Sequence, residues 1–85
     1  MSITVKLRFF ASLREKLGEG EVLALPEGST VASARETLQA RGGPHAQALA
    51  RGRAVRAALN QKMSAESAVL ADGDELAFFP PVTGG

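Results

Sequence analysis

The chain contains no cysteine, no tryptophan and no tyrosine. Without cysteine there are no disulfides, no thiolate nucleophile and no thiolate-based structural zinc site, and a reducing compartment suits the protein. The only aromatic residues are Phe9, Phe10, Phe78 and Phe79, so the interior has to be aliphatic. Charge of one sign is also lacking. Ten basic residues face nine acidic ones, with a formal net charge of +1. The signs interleave along the chain, as in Arg14-Glu15-Lys16 and Arg35-Glu36, and no basic stripe stands ready for phosphates. Arg51, Arg53 and Arg56 form the densest positive run, but no stacking aromatics lie among them, so they are expected to form a solvated face and not a nucleic-acid site. No stretch reaches the roughly eighteen apolar residues of a membrane span. Met1-Ser2-Ile3-Thr4 does not begin a basic and then apolar leader. The expectation is a soluble, cytoplasmic protein.

Eighty-five residues make one domain that buries only about 60–65% of its unfolded surface. Its core must be thin. From Ile3 to Phe9 the residues alternate strictly, with Ile3, Val5, Leu7 and Phe9 on one side, which predicts a half-buried strand and leaves Phe10 out of phase with the core. The segment ASLREKLG, with Leu13 and Leu17 four apart and Gly18 as a stop, predicts a short helix. Glu21 to Leu25 reads as a second strand, a hairpin partner of the first, ended by Pro26-Glu27-Gly28. Ser29 or Thr30 caps the main helix, which carries Val31, Ala34 and Leu38 on one face and stops before Gly42. Pro44 opens a further turn or two. Strand resumes from Ala54 to Leu59, and Asn60-Gln61 connects it tightly to Lys62-Met63. After the turn Asp72-Gly73-Asp74, the segment ELAFF sends Leu76 and Phe78 inward and Ala77 and Phe79 outward, until Pro80-Pro81 stop the sheet. The class is α+β: a small mixed sheet with one main helix across one face.

The interior offers no catalytic constellation. His45 is the single imidazole, in a polar segment, and is expected to be a solvated surface residue. Asp72 and Asp74 flank a turn glycine without the further alternating oxygen ligands and distal Glu of a calcium loop. Arg41-Gly42-Gly43-Pro44 lacks the Gly-Lys-Ser/Thr that would cradle a triphosphate. No serine stands in a Gly-x-Ser-x-Gly elbow.

What remains is the ending, FFPPVTGG. Pro80 and Pro81 hold extended dihedrals, so they project Val82 and Thr83 away from the body as a stiff arm. Gly84 and Gly85 have no Cβ and can thread a channel too narrow for other residues, delivering a backbone carboxylate. Phe79 at the root of the arm, Phe10 and Met63 are apolar residues without an assured place in the core, and together they would make a docking patch.

These features resemble the ubiquitin-like sulfur-carrier proteins, most closely the small-subunit (MoaD) family of molybdopterin synthase. The stretches that carry the resemblance are LRFFASLREKLG, AALNQKM and LADGDELAFFPPVTGG. The resemblance implies a β-grasp body over residues 1–79 and an extended tail over 80–85. It implies that Gly85 is adenylated by a ubiquitin-activating-like adenylyltransferase, which binds the ATP and magnesium, and that a sulfur donor enzyme then provides the sulfur of a thiocarboxylate. The large synthase subunit would receive the tail, and the sulfur would pass to cyclic pyranopterin monophosphate. Gly84 matches the penultimate channel glycine, and Phe10, Met63 and Phe79 match the family's apolar contact surface. No cofactor is expected on this chain, which would act as a non-catalytic subunit. Carriers for thiamine or tRNA thiolation and protein modifiers share the Gly-Gly end. A plain interaction module with an idle tail is the reading from another class.

Overall fold

The computed structural model describes residues 1–50 and 54–80. The elements are β1 (Ser2–Phe9), α1 (Ala11–Leu17), β2 (Gly20–Pro26), α2 (Val31–Gln39), α3 (Gly43–Ala48), β3 (Arg56–Leu59), β4 (Lys62–Ser64) and β5 (Glu75–Phe79). One five-stranded sheet runs in the order β2-β1-β5-β3-β4. Its centre is the parallel pair β1 and β5, in which Leu7 lies beside Leu76 and Phe9 beside Phe78. The other pairs are antiparallel. This is the mixed sheet of the β-grasp arrangement.

The alternation of β1 is reproduced in full. Ile3, Val5, Leu7 and Phe9 are buried and every residue between them is exposed. Their face meets Val31, Ala34 and Leu38 of α2, Leu13 of α1 and Ala48 and Leu49 at the end of α3 in one core. The rings of Phe9 and Phe78 stack there with centroids 6.3 Å apart, an aromatic contact worth about 1 kcal/mol beyond the area it buries. Three elements at most can cover one face of so small a sheet, and all the helices lie on it. The opposite face is left open.

The first turn of α2 shows how the chain satisfies its backbone. The N–H groups of Val31 and Ala32 donate to the carbonyls of Ala68 and Glu66, and that of Ser33 donates to Thr30 Oγ1 in a capping box. Thr30, not Ser29, is therefore the cap. All three otherwise orphaned donors have partners, and the 65–70 segment is tied to the helix in the process. Gly20, at the start of β2, has a positive φ of 149°, and a Cβ there would stand 2.0 Å from the Leu7 carbonyl oxygen. Only glycine fits so close an approach. Asn60 and Gln61 both have positive φ, as a two-residue hairpin of the primed type requires.

Two details differ from the sequence-based expectation. His45 is not a solvated imidazole: α3 packs against α1 and α2 and holds it half-buried, with Nε2 enclosed and without a hydrogen-bond partner among the described residues. Ala77 lies on the outward phase of β5 but is buried, because the central strand is flanked on both sides, by Arg8 and by Ala58. The densest positive run is described only at Arg56, which is exposed. Arg51 and Arg53 lie outside the described residues.

Arg35 is a structural residue that the sequence reading missed. Its guanidinium is buried; Nε donates to the Leu49 carbonyl at 2.8 Å, Nη2 to the Ala50 carbonyl at 2.7 Å and Nη1 to Glu66 Oε2 at 2.7 Å. One side chain thus joins α2, the end of α3 and the 65–70 segment. The signal was present, since position 35 falls in the helical stripe 31, 34, 35, 38 that faces the core. Arg35→Ala should lower unfolding free energy by about 2–3 kcal/mol, because two enclosed carbonyls lose donors. In thermal denaturation that is a fall in Tm of roughly 10–20 °C.

At the edge of the sheet Arg41 forms a two-pronged ion pair with Glu21, at 2.6 and 2.8 Å. The hydrogen bonds from Arg41 hold the Glu21 carboxyl below its ordinary range, against a smaller opposing effect of partial burial. The folded protein therefore favours the ionised carboxylate. This contribution is complete above the unfolded value of about pH 4.3 and is lost as pH falls through the lower folded value. Both side chains are about one-third exposed, so Arg41→Gln should cost less than about 1 kcal/mol at neutral pH. Urea unfolding near pH 7 and near pH 3 should show that difference closing in acid.

Candidate functional site

The open face of the sheet carries a short apolar row. Met63 on β4 sits beside Ala58 on β3, Ala58 beside Ala77 on β5, and Ala77 beside Arg8 on β1. Residues paired in this way project on the same side of the sheet, so Met63 stands about 10 Å from the β5 axis across a floor of two alanines. Phe79, two residues beyond Ala77, points to the same side and is half-buried. Met63 is 62% exposed and Phe10 is 40% exposed.

Phe10 reaches this face by continuing the alternation of β1 in an extended conformation, and the chain reverses just after it. Its N–H still donates to the Phe78 carbonyl, so it remains attached to the end of β5. The next residue, Ala11, takes a φ of +53°, a left-handed conformation that costs a residue with a Cβ about 1 kcal/mol. The chain then enters α1 with the Leu13 and Arg14 N–H groups on the Phe10 carbonyl. The guanidinium of Arg8, from the open face, lies 5.5 Å from the centre of the Phe10 ring. Strand end, reversed backbone and cation together hold the ring at the end of the sheet where β5 also finishes.

Of the residues expected to form a patch, Phe10, Phe79 and Met63 therefore share one face, and the alanine floor between them was not foreseen. Small residues at 58 and 77 are a signal only once the strand order is known. Pro80 is half-buried, in a crevice of about 90 Å³ that it lines with Ser12, Leu13 and Lys16 of the α1 segment and with Ala48, Ala54 and Val55. The root of the expected arm thus leans on α1 at the Phe10 end of the sheet. Pro81, Val82, Thr83, Gly84 and Gly85 lie outside the described residues.

Among the described residues, no group of three or more His, Asp and Glu side chains could hold a metal ion, and no helix is long and apolar enough to cross a membrane. What the geometry provides is a flat apolar surface beside the exit of the last strand. A flat surface cannot surround a small substrate, but it can dock on a protein.

Residues 7–85 match the ThiS family over nearly the whole chain. The chain belongs to the ThiS family. It is 41% identical over 81 residues to the molybdopterin synthase sulfur carrier subunit of Escherichia coli K12, covering 95% of this chain and 99% of that one. Among solved structures, a putative molybdopterin converting factor subunit 1 from Pyrococcus furiosus superposes with a TM-score of 0.79 at 30% identity, covering 94% of this chain and 99% of the other. A chain in the protein–protein complex of subunits 1 and 2 of the molybdopterin-converting factor from Helicobacter pylori 26695 superposes with a TM-score of 0.67 at 26% identity, over 98% of this chain and all of that one. The stretches that suggested a sulfur carrier lie within this ThiS-family match.

Proposed function

We propose that this chain is the sulfur carrier subunit of a molybdopterin synthase. The observation that carries the reading is the pairing of an exposed apolar face with the exit of β5, in a chain 41% identical to a sulfur carrier subunit of that enzyme. Phe10, Met63 and Phe79 dock on the large subunit, and residues 80–85 run from the edge of that contact into its active site.

The chemistry resides at Gly85. A carboxylate is a poor acyl donor, because its charge is delocalised and its oxygen is a poor leaving group. Adenylation corrects both faults. The carboxylate oxygen attacks the α-phosphorus of ATP, pyrophosphate leaves, and an acyl adenylate forms. Sulfide-level sulfur delivered by the donor enzyme then attacks the acyl carbon, displaces AMP and leaves a thiocarboxylate; its sulfur bonds to the pterin precursor, and water attacks the resulting thioester carbonyl, which breaks the acyl–sulfur bond and restores the Gly85 carboxylate. Nucleotide, magnesium and acid–base groups belong to the partners. The chain provides a backbone terminus and Gly84, whose missing side chain lets the terminus pass through a narrow channel. A carrier for thiamine synthesis would use the same terminal chemistry, and ThiS-family membership alone does not separate the two. The relative's name and the FFPPVTGG ending favour the molybdopterin branch.

Incubation with the activating enzyme, ATP and a sulfur donor should raise the intact mass by the difference between sulfur and oxygen. The product should then convert cyclic pyranopterin monophosphate with the large subunit. Removal of Gly85 should abolish both results, and sulfur transfer by the shortened chain would refute the reading. Phe10→Ala should weaken affinity for the large subunit by about 1–3 kcal/mol while changing unfolding free energy by less than about 1 kcal/mol, as calorimetric titration and urea denaturation would show.

A further inference from the structure

Charges that interleave along the sequence separate in the fold. Arg8, Arg14, Lys16 and Arg56 gather where the last strand ends. Arg8 lies against Phe10, Lys16 shares the Pro80 crevice, and Arg56 is the strand partner of Phe79. Against these four cations stand Glu15 and Glu19, of which Glu19 is paired with Arg14 at 2.7 Å, while Glu21, beside Leu7, is already paired with Arg41. Arg8, Lys16 and Arg56 form no ion pair among the described residues.

The opposite end is acidic. Asp72 accepts from the Thr4 N–H, Asp74 accepts from Ala71 and Asn60, and Glu75 and Glu27 stand nearby. Lys6, the strand partner of Glu75, together with Lys62 and the Met1 amino group opposes these four carboxylates, so this end carries a slight acidic excess. Thr4, which holds Asp72, and Arg8 are four residues apart on β1, about 14 Å. That is nearly two Debye lengths of about 8 Å at physiological salt. Asp72 is therefore largely screened from a partner at the tail end, and Glu75, two residues closer, is offset by its strand neighbour Lys6.

We propose that Arg8, Lys16 and Arg56 form a cationic collar that engages carboxylates around the mouth of the protein pocket receiving the tail, so that encounter occurs tail-first. The inference rests on the carrier reading, because it takes the tail end as the end that docks. The collar contributes to arrival more than to retention. Exposed charges at an interface rim change association rates and their salt dependence, while the buried apolar contacts govern dissociation.

The test is stopped-flow association of the full chain with the large synthase subunit and with the activating enzyme, at low and at physiological salt. The double variant K16E/R56E keeps the Arg8–Phe10 contact and should associate about tenfold more slowly at low salt with at least one of these partners, with a flatter salt dependence. Glu27→Lys, at the far end, should stay within about twofold of the unaltered chain. Circular dichroism should show native folding of each variant, and the single variants Lys16→Glu and Arg56→Glu serve if the double variant does not fold. Unchanged association of the charge-reversed chain with both partners overturns the collar, as does slowing with an unaltered salt dependence. Intact mass of the unaltered chain separately reports the carrier reading: a chain that gains no sulfur refutes that reading, whatever the association rates show.

Discussion

The parallel pairing of β1 with β5 is the constraint from which the rest of the molecule follows. It places the first and last strands side by side at the centre of the sheet, running the same way, so that both finish at one end. Phe9 and Phe78 stack on the covered face, while the residue after each of them turns to the open one. Two consecutive aromatic pairs become one buried pair and one presented pair. Had the strands been antiparallel, Phe10 and Phe79 would stand at opposite ends of the sheet, and the chain would leave beside Phe79 alone.

The thinness of the protein produces the rest of the surface. A chain of 85 residues can cover one face of its sheet with helices, and α1, α2 and α3 all lie there. The other face remains free to become an interface. Ala58 and Ala77 keep it flat, and Met63 and Phe79 stand at its margins. Under the proposed reading the reactive group sits on a tail that enters a partner's pocket, and the body need not surround a substrate itself.

The parts of this architecture that depend on neighbours in the chain were legible in the sequence. The alternation of Ile3 to Phe9, a cap at Ser29 or Thr30 with its helix stripe, the Asn60-Gln61 turn and the phase of Phe78 against Phe79 each follow from dihedral preferences or periodicity within a few residues. The parts that depend on strand order were not legible. Ala77 is buried by residues 69 positions before it and 19 positions before it, Arg8 and Ala58. The separation of charge is invisible until Arg56 is placed beside Phe79. Arg35 is the instructive case, because its helical phase pointed inward and its charge argued against burial. Three hydrogen-bond acceptors from distant segments decide the matter, and no local rule brings them together.

Under the carrier reading, one surface has to serve an activating enzyme and then a synthase, and this sets an upper limit on how tightly it should bind either. Affinity gained by extending the apolar patch would appear mainly as slower dissociation, which would hold the loaded chain on the enzyme that loaded it. A patch of two rings and a methionine on an alanine floor is small enough to release. Charge at the rim compensates in the other kinetic term, by raising the rate of encounter without lengthening residence. The separation of these roles on the surface, apolar side chains on the open face and cations beside them at the tail end, suits a molecule that must arrive quickly and leave again.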